Sequence, residues 1–298
     1  MHKTFSFKGA GKGKNKVGGL IDRYAVVGSP VHHSKSPAIH AMFAEDSEQK
    51  LHYEALEVAA DGFTAAVSTF FNNGYCGLSV TIPFKEDAWA MSEVKTELAQ
   101  KAGAVNTLWL GADGCLHGDN TDGVGLIRDL KSNHHIALNG ARVLIIGAGG
   151  AVRGCMAPLL YEHPCEVVIA NRTLDKAEAM IKSVNGNYSE FNNIKLSVSA
   201  FEELDVGAFD LIINGTSASL QGKALSIPVQ VMGSNTICYD MMYCSEETVF
   251  NQWAKESGAS RCFDGLGMLV EQAAEQFLIW RGVRPETSPV LKMLRSTM

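Results

Sequence analysis

No stretch of this chain stays apolar long enough to span a bilayer. Its strand-like runs reach only about five or six residues before a glycine or a charge interrupts them. No membrane span is expected. Basic charge is not gathered on any face, and the net charge is −6 with a pI near 5.9. That leaves no electrostatic footprint for nucleic acid. The cysteines, Cys76, Cys115, Cys155, Cys165, Cys238, Cys244 and Cys262, are odd in number and contain no C-x-x-C pair. Several lie in apolar surroundings, where cysteine acts as a small hydrophobe. Buried reduced thiols in a cytoplasmic protein are therefore expected, without a disulfide framework. The histidines are scattered. Even the adjacent pairs His32–His33 and His134–His135 would point apart on a regular element, so no metal is expected. Residues 1–20 contain no acid but carry Lys3, Lys8, Lys12, Lys14 and Lys16. They lack the apolar centre of a secretory signal and the Arg-rich pattern of a transit peptide, and read as a flexible extension.

What is present is a chain of 298 residues, 46% hydrophobic and 19% charged. That is the composition of a soluble globular protein with room for two domains. Strand-like runs at 23–28, 51–58, 74–81 and 104–109 alternate with helical patterns at 38–49, 62–72, 86–94 and 96–102. The alternation predicts an α/β domain with a mostly parallel sheet over 21–121. The segment 118–125, rich in glycine and Asx residues, reads as a linker, with a helix over 126–133 behind it.

Residues 143–176 read VLIIGAGGAVRGCMAPLLYEHPCEVVIANRTLDK. A β-branched strand runs into Gly147, Ala148, Gly149, Gly150 and Ala151, then a helix, then a second strand ending at Asn171. Gly147 permits the tight turn and Gly149 lets backbone approach a pyrophosphate, which the following helix N-terminus attracts. The third fingerprint position holds Val152 where Gly or Ala is usual; it governs packing rather than phosphate contact. An enzyme preferring NAD places Asp or Glu at the end of the second strand, for the ribose 2′-hydroxyl. Here Asn171, Arg172 and, a turn on, Lys176 stand there instead. A carboxylate would repel a 2′-phosphate, whereas these cations attract one, and NADP is expected. Strands at 194–199, 211–214, 236–240 and 260–263 continue a Rossmann-like domain over 122–265. A strongly amphipathic helix over 268–280 and a last one over 289–294 are expected to return, so that 266–298 joins 21–121.

The motifs YAVVGSPVHHSKSPAIH, GLSVTIPFKEDA, GAVNTL, GDNTDG, IIGAGGAVRG, NRT, NGTSASL, YDMMY and DGLGMLVEQAA occur in this order. Through them the chain resembles the shikimate/quinate dehydrogenase family. The resemblance implies NADP-linked reduction of 3-dehydroshikimate to shikimate, toward chorismate and the aromatic amino acids. It implies that Lys85 is the general acid/base, paired with Asp122. It implies substrate contacts from Ser34, Ser36, Thr81, Asn106, Asp122, Tyr243 and Gln272, with His40 and Tyr53 left structural. On the cofactor side it implies Asn171, Arg172, Thr173 and Lys176 for the 2′-phosphate, and Asn214, Thr216, Met241 and Gly265 near the nicotinamide. The implied partner is a small-molecule substrate, for a monomer or homodimer. One departure stands out: the family commonly has Asn where this chain has Ser79. Serine cannot span the same distance, so a hydroxyl contact made there would be lost or bridged by water. Two alternatives remain, a quinate/shikimate dehydrogenase of broader substrate and cofactor range, and a non-catalytic NADP-binding regulatory relative. The first would carry an acid where Asn171 stands; the second would have lost Lys85 or Asp122. Replacing Arg172 by Ala is expected to weaken NADPH binding far more than NADH binding. An equal loss for both, read by titration of each, would count against the 2′-phosphate role.

Overall fold

Tyr, Val and Ile crowd the strand segments and glycines punctuate their ends, and the chain builds two six-stranded sheets from them. The computed structural model describes residues 21–187, 191–204, 207–216 and 227–298. The expected extension over 1–20 and residues 217–220 of NGTSASL lie outside the described residues. The chain divides into two compact units. The first holds residues up to Gln100, Ala104–Thr121 and Ala273–Val290; the second holds Lys101–Gly103, Asp122–Gln272 and Leu291–Met298.

The first unit runs β1 (Asp22–Gly28), α1 (Ser36–Asp46), β2 (Leu51–Glu57), α2 (Phe63–Asn72), β3 (Tyr75–Val80), α3 (Lys85–Met91), β4 (Val94–Lys95), α4 (Glu97–Ala102), β5 (Thr107–Leu110) and β6 (Leu116–Asp119). The sheet order is β2-β1-β3-β5-β6-β4. Only β5 runs against its neighbours, β3 and β6; the other pairings are parallel. The tight turn at 111–114, with Gly114 at φ +81°, can join only antiparallel strands. Alternation along β1 sends Ala25 and Val27 to a core with Phe63, Val67 and Leu78, and Tyr24 and Val26 to one with Val31 and Tyr53. Both faces are therefore covered.

The second unit opens with α5 (Asp122–Arg128), which passes into one π turn, Asp129–Asn133. It continues with β7 (Arg142–Ile146), α6 (Gly150–Leu160), β8 (Glu166–Ala170), α7 (Leu174–Asn187), β9 (Lys195–Ser199), β10 (Leu211–Asn214), β11 (Ile237–Asp240), α8 (Val249–Glu256) and β12 (Arg261–Asp264). All pairings are parallel, in the order β12-β11-β10-β7-β8-β9. This is the doubly wound arrangement, and the order reverses between β7 and β10. In such sheets the ligand crevice lies at that reversal, at the carboxyl ends of the strands. Leu144 and Ile146 pack with Ile212 and Phe250 on one face, while Val143 and Ile145 pack with Leu126 and Leu130 on the other. Each such side chain contributes about 1.5–3 kcal/mol on full burial. Burial on both faces explains why these strands read as continuous apolar runs.

Two helices complete the chain, α9 (Leu266–Arg281) and α10 (Ser288–Ser296). The boundary between the units falls inside each of them, after Gln272 and after Val290.

Three sequence readings are corrected. The presumed linker is largely helix, because α5 starts at Asp122 and contains Gly123 and Gly125. These glycines serve close approach rather than flexibility. A Cβ on Gly123 would lie 2.5 Å from the Gly154 carbonyl oxygen and 2.6 Å from Pro158 Cγ, and one on Gly125 would lie 2.7 Å from the Gln272 nitrogen. Nor is α9 amphipathic. From Leu266 to Phe277 only Leu269 escapes burial, and Glu271, Gln272, Glu275 and Gln276 are buried with the apolar residues. Of the cysteines, only Cys155 and Cys238 are buried. Cys76 and Cys165 are exposed, and Cys115, Cys244 and Cys262 are partly buried.

Gly123→Ala gives a test with a definite sign. In an exposed helix the change would stabilise by about 1 kcal/mol. Against the α6 backbone it should instead cost about 1–3 kcal/mol, read as a lower melting temperature. A raised melting temperature would mean that α5 and α6 do not pack this closely.

Candidate active site

In the first unit, the expected substrate residues gather at one end of the sheet. Ser34 and Ser36 follow β1, and the Ser36 amide donates to Ser34 Oγ at 3.3 Å. Thr81 and Lys85 follow β3. The turn between them is fixed by Phe84 N donating to the Thr81 carbonyl at 3.0 Å, and it is tied to β1 by Thr81 N donating to the Val27 carbonyl at 2.9 Å. A Cβ on Gly28 would collide with the Thr81 methyl, so this approach requires glycine. Lys85 is the first residue of α3, and its carbonyl accepts from Val105 N at 2.8 Å.

Asn106, just before β5, is 2% exposed. Its carboxamide grips Thr121. Nδ2 donates to Thr121 Oγ1 at 2.9 Å, and Oδ1 accepts from Thr121 N at 2.9 Å and from Thr107 Oγ1 at 2.7 Å. Around this grip, Asn120 Nδ2 donates to the Ala104 carbonyl at 3.1 Å, and Asp119 Oδ1 accepts from Asn120 N at 2.7 Å and from the Thr96 hydroxyl. Burial pushes the Asp119 carboxyl above the usual range against those hydrogen bonds. The segment that leads to Asp122 is thus held from three sides up to the residue before it.

Asp122, Tyr243 and Gln272 belong to the second unit, so the expected pair Lys85 and Asp122 is divided between the units. Asp122 is buried at the start of α5. Gln272 is buried on α9, with Nε2 donating to the Leu269 carbonyl at 2.8 Å. Tyr243 is half-buried, and burial, with Asp264 nearby, raises its phenol pKa.

The expected cofactor residues do come together, at the carboxyl ends of β7, β8, β10 and β11. Gly147 sits at φ +103°, a conformation that favours glycine, and its amide donates to the Ala170 carbonyl at 2.7 Å. Gly149 caps α6 in extended conformation, φ −84° and ψ 178°. Among the described residues, a Cβ on Gly149 or Gly150 would meet no protein atom within 4 Å. The backbone there is bare, so these glycines leave room for something other than protein, and a pyrophosphate fits that description. Val152, the unusual third fingerprint residue, is buried, and a Cβ on Gly215 would strike its side chain. Gly215, at the end of β10, leaves the room that the Val152 side chain takes.

Asn171 turns its Nδ2 onto the Thr173 carbonyl at 2.7 Å and closes the turn into α7. Arg172, Thr173 and Lys176 are exposed. Asn214 is fully buried: Nδ2 donates to Asp240 Oδ1 at 2.9 Å, and Oδ1 accepts from Thr216 N at 3.0 Å and Thr216 Oγ1 at 2.8 Å. Asp240 Oδ1 also accepts from Met242 N at 3.0 Å. A Cβ on Gly265 would collide with the Met241 carbonyl, which brings the β11 and β12 ends together. Asp240 was not singled out from sequence, although it stands inside YDMMY. An acid at a strand end opposite an asparagine was the available signal. Ser79 and Gln276 were not recognised as one group either. Among the described residues no cluster of His, Cys, Asp and Glu could hold a metal, and no helix is long and apolar enough to cross a membrane.

Family models match three segments of the chain. They are the shikimate dehydrogenase substrate binding domain at residues 26–108, shikimate/quinate 5-dehydrogenase at 129–221, and the shikimate 5′-dehydrogenase C-terminal domain at 265–295. A curated relative from Marinobacter nauticus, named shikimate dehydrogenase (NADP(+)), is 53% identical over 92% of this chain and 98% of its own. Among solved structures, an Ael1 enzyme from Pseudomonas putida is 43% identical with a TM-score of 0.85, covering 92% of this chain and 98% of its own. A shikimate 5-dehydrogenase from Thermus thermophilus, in complex with NADP(H) and shikimate, is 30% identical with a TM-score of 0.80, covering 93% of this chain and 100% of its own.

The open space at Gly149 yields a test that separates fold from binding. Gly149→Ala should melt within about 2 °C of the parent protein, since its dihedral angles suit alanine. It should lose affinity for a nicotinamide dinucleotide by roughly tenfold, measured by calorimetry. Unchanged affinity would mean that no ligand approaches this backbone.

Proposed function

The chain belongs to the shikimate dehydrogenase family, and from that premise we propose that it catalyses the reversible, NADP-linked reduction of 3-dehydroshikimate to shikimate. The observation that carries this reading is the 53% identity to an NADP-linked shikimate dehydrogenase over 92% of the chain. The local geometry of each unit supports it.

The cofactor-binding role falls to the second unit. The turn Gly147, Ala148, Gly149, Gly150 and Ala151 offers bare backbone and the start of α6 to the pyrophosphate. Asn171, Arg172, Thr173 and Lys176 take the adenosine 2′-phosphate, Arg172 in a planar fork and Lys176 as a point charge. Asn214 and Thr216, with Met241 and Gly265, form the nicotinamide end, where the Asn214–Asp240 bond keeps the strand ends fixed. When bound, reduced NADP supplies the hydride.

The chain's own chemistry is proton transfer and orientation. Lys85 donates a proton from Nζ to the ketone oxygen as negative charge develops there, and takes it back in the oxidation direction. Asp122 accepts a hydrogen bond from the reacting hydroxyl and orients it. Thr121, clamped by Asn106, fixes the chain one residue before that carboxylate. Ser34 and Ser36 hold the substrate carboxylate with neutral donors. Thr81, Asn106, Tyr243 and Gln272 take the ring hydroxyls and line the site.

The deciding assay follows oxidation of shikimate and quinate, each with NADP and with NAD, in the parent protein and in Lys85→Ala. Shikimate with NADP should be the preferred pair. The variant should lose about 10²- to 10⁴-fold in kcat with little change in KM, because a general acid acts in the transition state. Equal use of quinate and NAD would favour the broader enzyme. Full activity in Lys85→Ala would sink the assignment of Lys85.

A further inference from the structure

Ser79 stands where the family pattern has Asn, and within the first unit it belongs to a buried chain of hydrogen bonds. Tyr53 Oη donates to Ser79 Oγ at 2.6 Å, Ser79 Oγ donates to Gln276 Oε1 at 2.6 Å, and Gln276 Nε2 donates to the Asn106 carbonyl at 3.1 Å. The direction is forced. A carbonyl can only accept, so Gln276 must turn its nitrogen to Asn106 and its oxygen to Ser79. The Ser79 hydroxyl then donates, leaving its lone pairs for Tyr53. Tyr53 is 8% exposed, Ser79 5%, Gln276 2% and Asn106 2%, so bulk water does not compete.

No charge enters this group. His40 lies flat on the Tyr53 ring, with centroids 4.2 Å apart and planes at 5°. Among the described residues, His40 and Tyr53 are the titratable side chains beside Gln276. Burial pushes the imidazole pKa down to about 3 and the phenol well up, so both stay neutral. The neighbouring acid on α9, Glu275, is engaged elsewhere, with Arg284 at 2.5 Å.

We propose that Gln276 is a positioning residue for the reaction, matched to Ser79 and acting through Asn106. The Asn106 carbonyl already accepts from Val80 N at 2.8 Å in the plane of the sheet. Gln276 adds a second bond from α9, and the two together set the orientation of the Asn106 peptide. That orientation aims the carboxamide that grips Thr121. The Ser79 hydroxyl meets Gln276 Oε1 directly, so position 79 serves this internal chain. The inference rests on the roles given above to Asn106 and Asp122.

The experiment uses the intact enzyme and reads KM for shikimate and for NADP separately. Gln276→Met keeps the length and removes both polar atoms. It should raise KM for shikimate roughly tenfold, the scale of one lost buried hydrogen bond, and leave KM for NADP within about twofold. Gln276→Glu keeps the shape. Its ionised carboxylate cannot donate to Asn106, whereas its protonated form can, and with no cation facing it burial raises its pKa. Its KM for shikimate should therefore fall toward the parent value as pH is lowered from about 8 to about 6. Simple loss of stability would not give that recovery. A folded Gln276→Met with parent-like KM for shikimate would overturn the proposal. If Gln276→Met does not fold, the Gln276→Glu series decides, and a ratio to the parent that does not change with pH overturns it. Parent enzyme inactive on shikimate would instead overturn the functional reading and this inference with it. Parent activity together with indifferent variants would remove this inference alone.

Discussion

A strand that ends at a functional edge leaves backbone groups with no ladder partner, and buried groups of that kind must be paired. Each unit meets this constraint with one buried carboxamide. In the first unit Asn106 accepts from the amide of Thr121, donates to its hydroxyl oxygen, and holds the exit from β6. In the second, Asn214 bonds Asp240 across the ends of β10 and β11 and receives the Thr216 amide. An asparagine can do this because it offers donor and acceptor on one short, stiff arm. Aspartate would lack the donor, and serine would lack the reach. The remaining parts of each site are placed relative to these clamps.

The second constraint is close approach of backbone. Gly123 and Gly125 let α5 lie against α6 and α9, Gly265 lets β12 end against β11, and Gly267 makes way for the Asp129 carboxylate beside α9. Asp129 in turn accepts from the Tyr239 hydroxyl at 2.6 Å and from Asn133 Nδ2 at 2.8 Å within the π turn. These glycines transmit position where a side chain would separate the elements. Gly149 and Gly150 are of another kind, since among the described residues no atom would lie within 4 Å of a Cβ there.

Much of this was legible in the sequence. The alternating strand and helix signals, the glycine turn after β7 and the Asn171-Arg172 ending are local patterns, and local patterns survive in one dimension. The start of α5 was less legible, because glycine reads as a breaker unless the neighbouring backbone is known. The burial of α9 was misread for a related reason: Glu271, Gln272, Glu275 and Gln276 look like a solvent face, yet all four are buried. Which strand lies beside which was not readable either. Ser79 and Gln276 are 197 residues apart and touch only because of the sheet order. Val152 was visible only as a motif defect, because its packing against Gly215 joins residues far apart in the chain.

The passage of the chain between units has a consequence for how such a protein is inherited. The crossings fall around Lys101–Gly103 at the end of α4, between Thr121 and Asp122, at a clamped turn and a helix start, and then within α9 and within α10. No spacer of independent sequence separates the halves. A recombination event at any crossing would cut a helix or strip the Asn106 clamp of its Thr121. The two halves therefore have no seam along which either could be traded as a cassette. They are bound to travel through evolution as one gene, diverging by side-chain exchanges such as those at Ser79 and Val152.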